Sequence, residues 1–249
     1  MGVWEAVKAV FGATQSDNRI RLLDQFQKTI DYRFRDIDLL QVALTHRSFA
    51  KSGEKDWIPS NERLEFLGDS VLGLIVADIL YNNYPNELEG GLTKLKSLLV
   101  NEITLFRTAQ QLDLGRYVLL SPEEDRAGGR NRPSINADTL EAIIGAMYLD
   151  GGPLAVRKLI ERFLYSQIDS ITADTTFRNF KGDLLEYLQG RGLGMPRYEV
   201  ISEKGPDHDK TFTVVVYSNG EIIGRGGGNS KKDAEQQAAG QALKILKVE

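Results

Sequence analysis

The stretch NERLEFLGD, residues 61–69, sets Glu62, Glu65 and Asp69 along one stripe of an otherwise apolar helix. At roughly 100° per residue, Glu65 and Asp69 stand one turn apart and only about 40° apart around the axis, with Glu62 beside them. Like charges at that spacing destabilise a helix by roughly 0.2–0.5 kcal/mol even in water. The cost rises if neighbours such as Leu64, Phe66, Leu67, Val71 and Leu72 exclude solvent. A cation held by the stripe would offset it.

The composition limits what that cation can be. The chain has 249 residues, 41% hydrophobic and 27% charged, enough for one sizeable core and a second small domain. It has no Cys, so neither a disulfide framework nor a thiolate zinc site exists, and its two histidines, His46 and His208, are too far apart in sequence to suggest a shared site. Oxygen ligands remain, and carboxylates favour hard cations, Mg²⁺ or Mn²⁺ ahead of zinc or copper. No apolar run approaches the ~20 residues needed to span a bilayer, because residues 71–77 are stopped by Asp78. The N-terminus shows an amphipathic pattern with Val3, Trp4, Val7, Val10 and Phe11 on one face, and lacks the features of a signal peptide or a myristoylation motif. A cytoplasmic location is the expectation.

Helical periodicity marks residues 19–29, 37–44, 61–81, 92–112, 137–149 and 154–168, without convincing strand alternation among them. Turn signals fall at Gly53, Pro59, Pro85, Gly90-Gly91 and Gly151-Gly152-Pro153, and the polar stretch 120–134 reads as a mobile loop. The stretch 166–176, rich in Thr, Ser and Asp with no apolar period, reads as a linker. Beyond it come a helix at 177–189, extended runs at 197–203, 211–217 and 221–225, and a last helix at 230–247. Asn219-Gly220 between two β-rich runs is a strong hairpin signal. The expected division is an N-terminal extension (1–18), an all-helical domain (19–168), a linker (169–177) and a small α-β-β-β-α domain (178–248). The net charge of −4 is unevenly placed. Residues 178–249 carry 11 Lys and Arg against 10 Asp and Glu, so the acid excess lies in the first domain.

A second acidic pair, Asp138 and Glu141, opens the largely apolar run ADTLEAIIGAMYLD, residues 137–150. Asp-x-x-Glu at a helix start also fits a capping box, although Ala142, Ile143 and Ile144 carry the buried pattern straight on from Glu141. If the two acidic helices face one another, four carboxylates converge, and such a site needs a bound divalent ion or strongly raised pKa values. His46, in LTHRSF, reads as structural, Lys94 and Lys96 read as solvated surface, and no Ser-His or Cys-His pair offers a nucleophile.

The block NERLEFLGD, the block ADTLEAIIGAMYLD and the following α-β-β-β-α module together resemble bacterial ribonuclease III over nearly the whole chain. The resemblance implies a multidomain protein, with an all-α endonuclease domain followed by a double-stranded-RNA-binding domain. It implies Glu65, Asp69, Asp138 and Glu141 as metal ligands, with Asp69 and Glu141 the most critical for catalysis, and Glu62 and Glu89 as auxiliary acids. It further implies Mg²⁺, with Mn²⁺ as a substitute, and hydrolysis of both RNA strands by metal-activated water. The expected ends are 5′-phosphates and 3′-hydroxyls with short 3′ overhangs, and the expected work is processing of ribosomal and other precursor RNAs by a homodimer. No organic cofactor is expected, since Gly224, Gly226, Gly227 and Gly228 do not form a dinucleotide-binding loop.

In the second domain, Ser230 is placed to cap the last helix with Asp233, which puts Lys231 and Lys232 at its positive end. Cations there disfavour the helix unless the site is built for an anion such as phosphate. The module's resemblance to double-stranded-RNA-binding domains adds Glu186 and Gln189 on the first helix and His208 and Lys210 in the β-turn as RNA contacts. Leu185 and Asn229 depart from residues common in the family, Gln and Lys respectively, so modest affinity reinforced by dimerisation is expected. The competing reading is a non-catalytic dimeric RNA-binding regulator, which should have lost one of the four carboxylates.

Overall fold

The computed structural model describes residues 3–50, 59–173, 179–206 and 210–247, with residues 3–16 and 173 as backbone alone. The expected N-terminal apolar face, the turn at Gly53, Phe177 and His208 lie outside the described side chains. The chain divides into two compact units, Met1–Asp174 and Thr175–Glu249.

The first unit is helical: α1 (Val3–Ile30), α2 (Ile37–Ala43), α3 (Arg47–Ala50), α4 (Glu62–Asn83), α5 (Glu89–Leu99), α6 (Glu102–Gln111), α7 (Pro122–Arg126), α8 (Pro133–Phe163) and α9 (Ile168–Ala173). Its centre is the packing of α4 along α8. Helix α4 buries Leu64, Gly68, Val71, Leu72, Ile75, Val76, Ile79 and Leu80, a 3.6-residue stripe, while α8 is buried on every side from Ala142 to Met147. Each such aliphatic side chain contributes roughly 1.5–3 kcal/mol on leaving water. Among the described residues no helix is long and apolar enough to cross a membrane.

Several expectations need correction. The run 92–112 is two helices, because Asn101 caps a new one: its Oδ1 accepts the Thr104 N–H at 2.9 Å. Helix α5 also begins at Glu89, so Gly90-Gly91 lies inside it. The stretch 120–134 is an ordered connection. It contains α7 and a 3₁₀ turn at Gly129–Asn131, and Arg130 donates to the carbonyls of Gly115 and Val118 and pairs with Asp125. Helix α8 starts at Pro133, a residue suited to the first helical turn. It covers the run 137–149 and the second run as far as Phe163, with its break at Gly152, where φ is +73°, and a 3₁₀ turn at Tyr165–Gln167 separates it from α9. The stretch 166–176 is helical through Ala173, with Ile168 and Ile171 buried. Phe66 does not shield the acidic stripe: it is 79% exposed.

In the second unit, α10 (Phe180–Gly190) and α11 (Lys231–Ile245) lie with an antiparallel sheet of order β1-β2-β3, formed by Arg197–Lys204, Thr211–Ser218 and Glu221–Gly228. The hairpin turns at Asn219 and Gly220, both at positive φ (50° and 85°), as its two central residues require. Val214, Val216, Leu184, Leu188 and the alanines of α11 form the core. Gly224, Gly226 and Gly228 alternate along β3 on the face toward α11. A Cβ on Gly226 would strike the backbone of Ala234 and Ala238, so strand and helix are in backbone contact. On another side of α11, Gly240 receives the ring of Phe180.

Candidate active site

The crossing of α4 and α8 is set by two glycines. A Cβ on Gly68 would strike the Glu141 carbonyl, and one on Gly145 would strike the Leu64 carbonyl. Backbone touches backbone there, and the acidic pairs flank the contact: Glu65 and Asp69 on either side of Gly68, Glu141 directly against it and Asp138 one turn earlier.

The carboxyls respond to one another across the crossing. Burial pushes Glu141 up to about 8, assisted by the charges of Asp69, Asp138 and Glu65. Glu65 is raised by burial and then by Asp138, Glu62 and Asp69, with Arg47 opposing. Asp138 is raised by burial and then by Glu102, again against Arg47. The acids of α4 and those of α8 therefore form one electrostatic cluster. Asp138 is the sixth residue of its helix, well past the first turn, which removes the capping-box reading.

Among the described residues no group of three or more His, Cys, Asp or Glu side chains forms a ready-made metal cage. What is present is the half-buried set Glu65, Asp138 and Glu141, whose proton affinity is raised by lack of solvent and by neighbouring negative charge, with Asp69 exposed beside them. That donor chemistry fits a hard divalent cation, which would relieve both causes at once.

The auxiliary acids separate. Glu62 sits exposed on the rim, 3.7 Å from Arg47 Nη1 and accepting a hydrogen bond from Ser60 at 2.9 Å. Glu89 heads α5, exposed and within 3.5 Å of the Thr93 hydroxyl, and is not among the groups whose charge raises Glu65, Asp138 or Glu141. Glu102, at the start of α6, is the acid that sequence reasoning missed. Its charge reaches Asp138 through the fold, which no local spacing announces.

A Ser-His pair exists after all, contrary to the sequence reading: His46 Nδ1 lies 2.9 Å from Ser48 Oγ. It is a structural knot. Nδ1 also accepts the Ser48 N–H at 3.2 Å, Ser48 Oγ accepts the Ser121 N–H at 3.1 Å, and burial holds the imidazole below its ordinary pKa.

In the second unit, Glu186 and Gln189 are exposed on one face of α10. Ser230 Oγ accepts the Asp233 N–H at 3.1 Å and donates to the Asp233 carboxylate at 2.7 Å. The cap is as expected, and Lys231 and Lys232 stand exposed in the first turn of α11. The Lys231 ammonium lies 5.7 Å from the Phe212 ring centroid. Lys210 pairs with Glu203 at 3.1 Å.

Comparison with known proteins agrees with this architecture. Residues 36–168 match the ribonuclease-III-like family model and residues 180–246 the double-stranded RNA binding motif. Ribonuclease 3 of Magnetococcus marinus is 43% identical over 228 residues, covering 90% of this chain and 93% of the relative. Ribonuclease 3 of Thermobifida fusca is 46% identical over 224 residues, covering 90% and 92%. The nuclease domain of ribonuclease III from Campylobacter jejuni, solved in work on a region involved in its dimer formation, superposes with a TM-score of 0.53 at 40% identity, covering 58% of this chain and 96% of that one. The chain is a member of the ribonuclease III family, an endoribonuclease with a helical nuclease domain and a double-stranded-RNA-binding domain.

Proposed function

We propose that Glu65, Asp69, Asp138 and Glu141 form the cleavage site, holding Mg²⁺, or Mn²⁺ in its place, against a phosphodiester of duplex RNA. The supporting observation is the glycine-mediated crossing of α4 and α8, which makes the two acidic pairs one cluster. When bound, the divalent cation supplies positive charge that polarises phosphoryl oxygen and acidifies water. The protein's own part is placement. The touching backbones fix where the four carboxyls start, and Glu141, pushed up to about 8 by burial and by its acidic neighbours, would hold its proton at neutral pH without a cation beside it. Direct in-line attack by water suits a site whose nearest Ser-His pair is occupied by the Ser121 and Ser48 backbones. The products are 5′-phosphates and 3′-hydroxyls with short 3′ overhangs, and the substrates include ribosomal and other precursor RNAs in the cytoplasm.

Residues 19–168 act as the catalytic domain and 178–248 as the RNA-gripping domain; the expected extension 1–18 continues into α1, and the expected connection 169–177 belongs to the helical unit as far as Ala173. Glu186 and Gln189 would meet the minor groove, Lys231 and Lys232 a phosphate, and Lys210 with His208 a second contact. The working unit is a homodimer, supported by an unpartnered apolar stripe on α4, where Phe66, Leu74 and Tyr81 are 79%, 65% and 72% exposed. A non-catalytic RNA-binding regulator is disfavoured because all four carboxylates are retained. Matched RNA and DNA duplexes, incubated with Mg²⁺ and with chelator, test the assignment. Wild type should cut only the RNA duplex and only with metal, and Glu141→Gln should bind but not cut. Full activity in that variant overturns it.

A further inference from the structure

Arg47 stands beside the acidic cluster without belonging to the carboxyl set or to the RNA-binding set. It opens α3, with Nη1 3.7 Å from Glu62 Oε1, and its charge is felt at Glu65 on α4 and at Asp138 on α8. One guanidinium thus faces acids of both helices.

The backbone that carries it is pinned from two directions. The Asn61 N–H donates to the Thr45 carbonyl at 2.9 Å, tying the segment to the residue that precedes α4. On the other side Thr45 bridges Leu119 in parallel, with His46 N–H to Leu119 O at 3.1 Å and Leu119 N–H to Leu44 O at 2.8 Å. The base of Arg47 is therefore fixed beside the cluster, while its side chain is 62% exposed. An exposed pair at 3.7 Å is weak, so Glu62 holds the guanidinium loosely. A backbone phosphodiester carries the same single charge as Glu62, but bound RNA brings it as part of a polyanion with two non-bridging oxygens for the planar fork, and such a bidentate pair displaces one long contact at 3.7 Å.

We propose that Arg47 is a positioning residue of the nuclease: parked on Glu62 in the free protein, it moves to a backbone phosphate of duplex RNA next to the acidic cluster and holds that strand in register for cleavage. The inference rests on the four-carboxyl reading above.

The test uses the full-length protein and a duplex RNA. Binding is measured in the Glu141→Gln background across a salt series, and single-turnover cleavage at saturating RNA in the otherwise wild-type background. Arg47→Ala should lower the slope of log affinity against log salt by roughly one, and should slow cleavage about tenfold. Arg47→Lys keeps the point charge without the fork. It should retain the salt slope and recover only part of the rate, and it decides the matter if the alanine variant fails to fold. A folded Arg47→Ala protein with the parent's slope and rate, or Arg47→Lys cleaving at the full parental rate, overturns the proposal. If instead wild type leaves duplex RNA intact or Glu141→Gln cuts it, the carboxyl assignment has failed rather than the role of Arg47.

Discussion

Replacing Glu141 by Gln should make the metal-free protein more stable, and increasingly so as pH rises. A carboxyl held at about 8 instead of 4.5 is about 5 kcal/mol harder to ionise than in the unfolded chain. Glu141 is only partly buried, so solvent screening leaves roughly 1–2 kcal/mol of that as measurable stability. Below pH 4.5 the folded and unfolded chains both keep this proton, and the group adds nothing to the pH dependence. Between about 4.5 and 8 the unfolded chain releases it while the folded chain retains it, so stability falls as pH rises; above about 8 both are ionised and the deficit is complete. Gln keeps the shape and removes the charge. In chelator, calorimetry of the nuclease unit should find the variant level with wild type near pH 4.5 and about 2–8 °C ahead at pH 9. Added Mg²⁺ should raise wild type more than the variant. A gap that is absent at pH 9, or that narrows with rising pH, would refute the claim that these acids crowd one another.

Two further outcomes follow from packing. Phe66→Glu puts a charge at one end of the exposed α4 stripe, on its most exposed side chain. It should sediment as a folded monomer, and an undisturbed dimer would show that the interface lies elsewhere. Gly226→Ala forces a methyl group into the backbone of α11 at a cost of about 1–3 kcal/mol. Duplex binding should weaken while the nuclease unit's thermal transition stays in place, and wild-type binding in this variant would contradict the backbone contact between β3 and α11.

Features that depend on local spacing were legible before any coordinates. Helix α4 announces itself through apolar residues that return every turn, and the hairpin through Asn219-Gly220, whose positive φ angles few other pairs tolerate. What escaped depends on competition or on distance. The apolar period continues across Val100 and Asn101, so only the cap hydrogen bond to Thr104 reveals that two helices meet there. Pro133 looked like the end of a polar loop, although it opens α8, and beyond Ile168 the single apolar Ile171 is too little to register as a continuing helix. At the site, the four carboxyls could be named from their motifs, but the approach of Glu102 to Asp138 and of Arg47 to Glu62 is made by the fold. Periodicity also groups apolar residues by face without saying which face meets solvent, which is why Phe66 was misplaced.

The absence of side chains at Gly68 and Gly145 has a consequence for how such a centre can be retuned. Two helices already in backbone contact cannot move closer, and moving them apart would open a void at the heart of the core. The gap between opposing acids therefore changes only in steps of one methylene, by exchanging Asp for Glu or the reverse. Variants meant to accept an ion of different radius should be sought among those exchanges, on an otherwise unaltered scaffold.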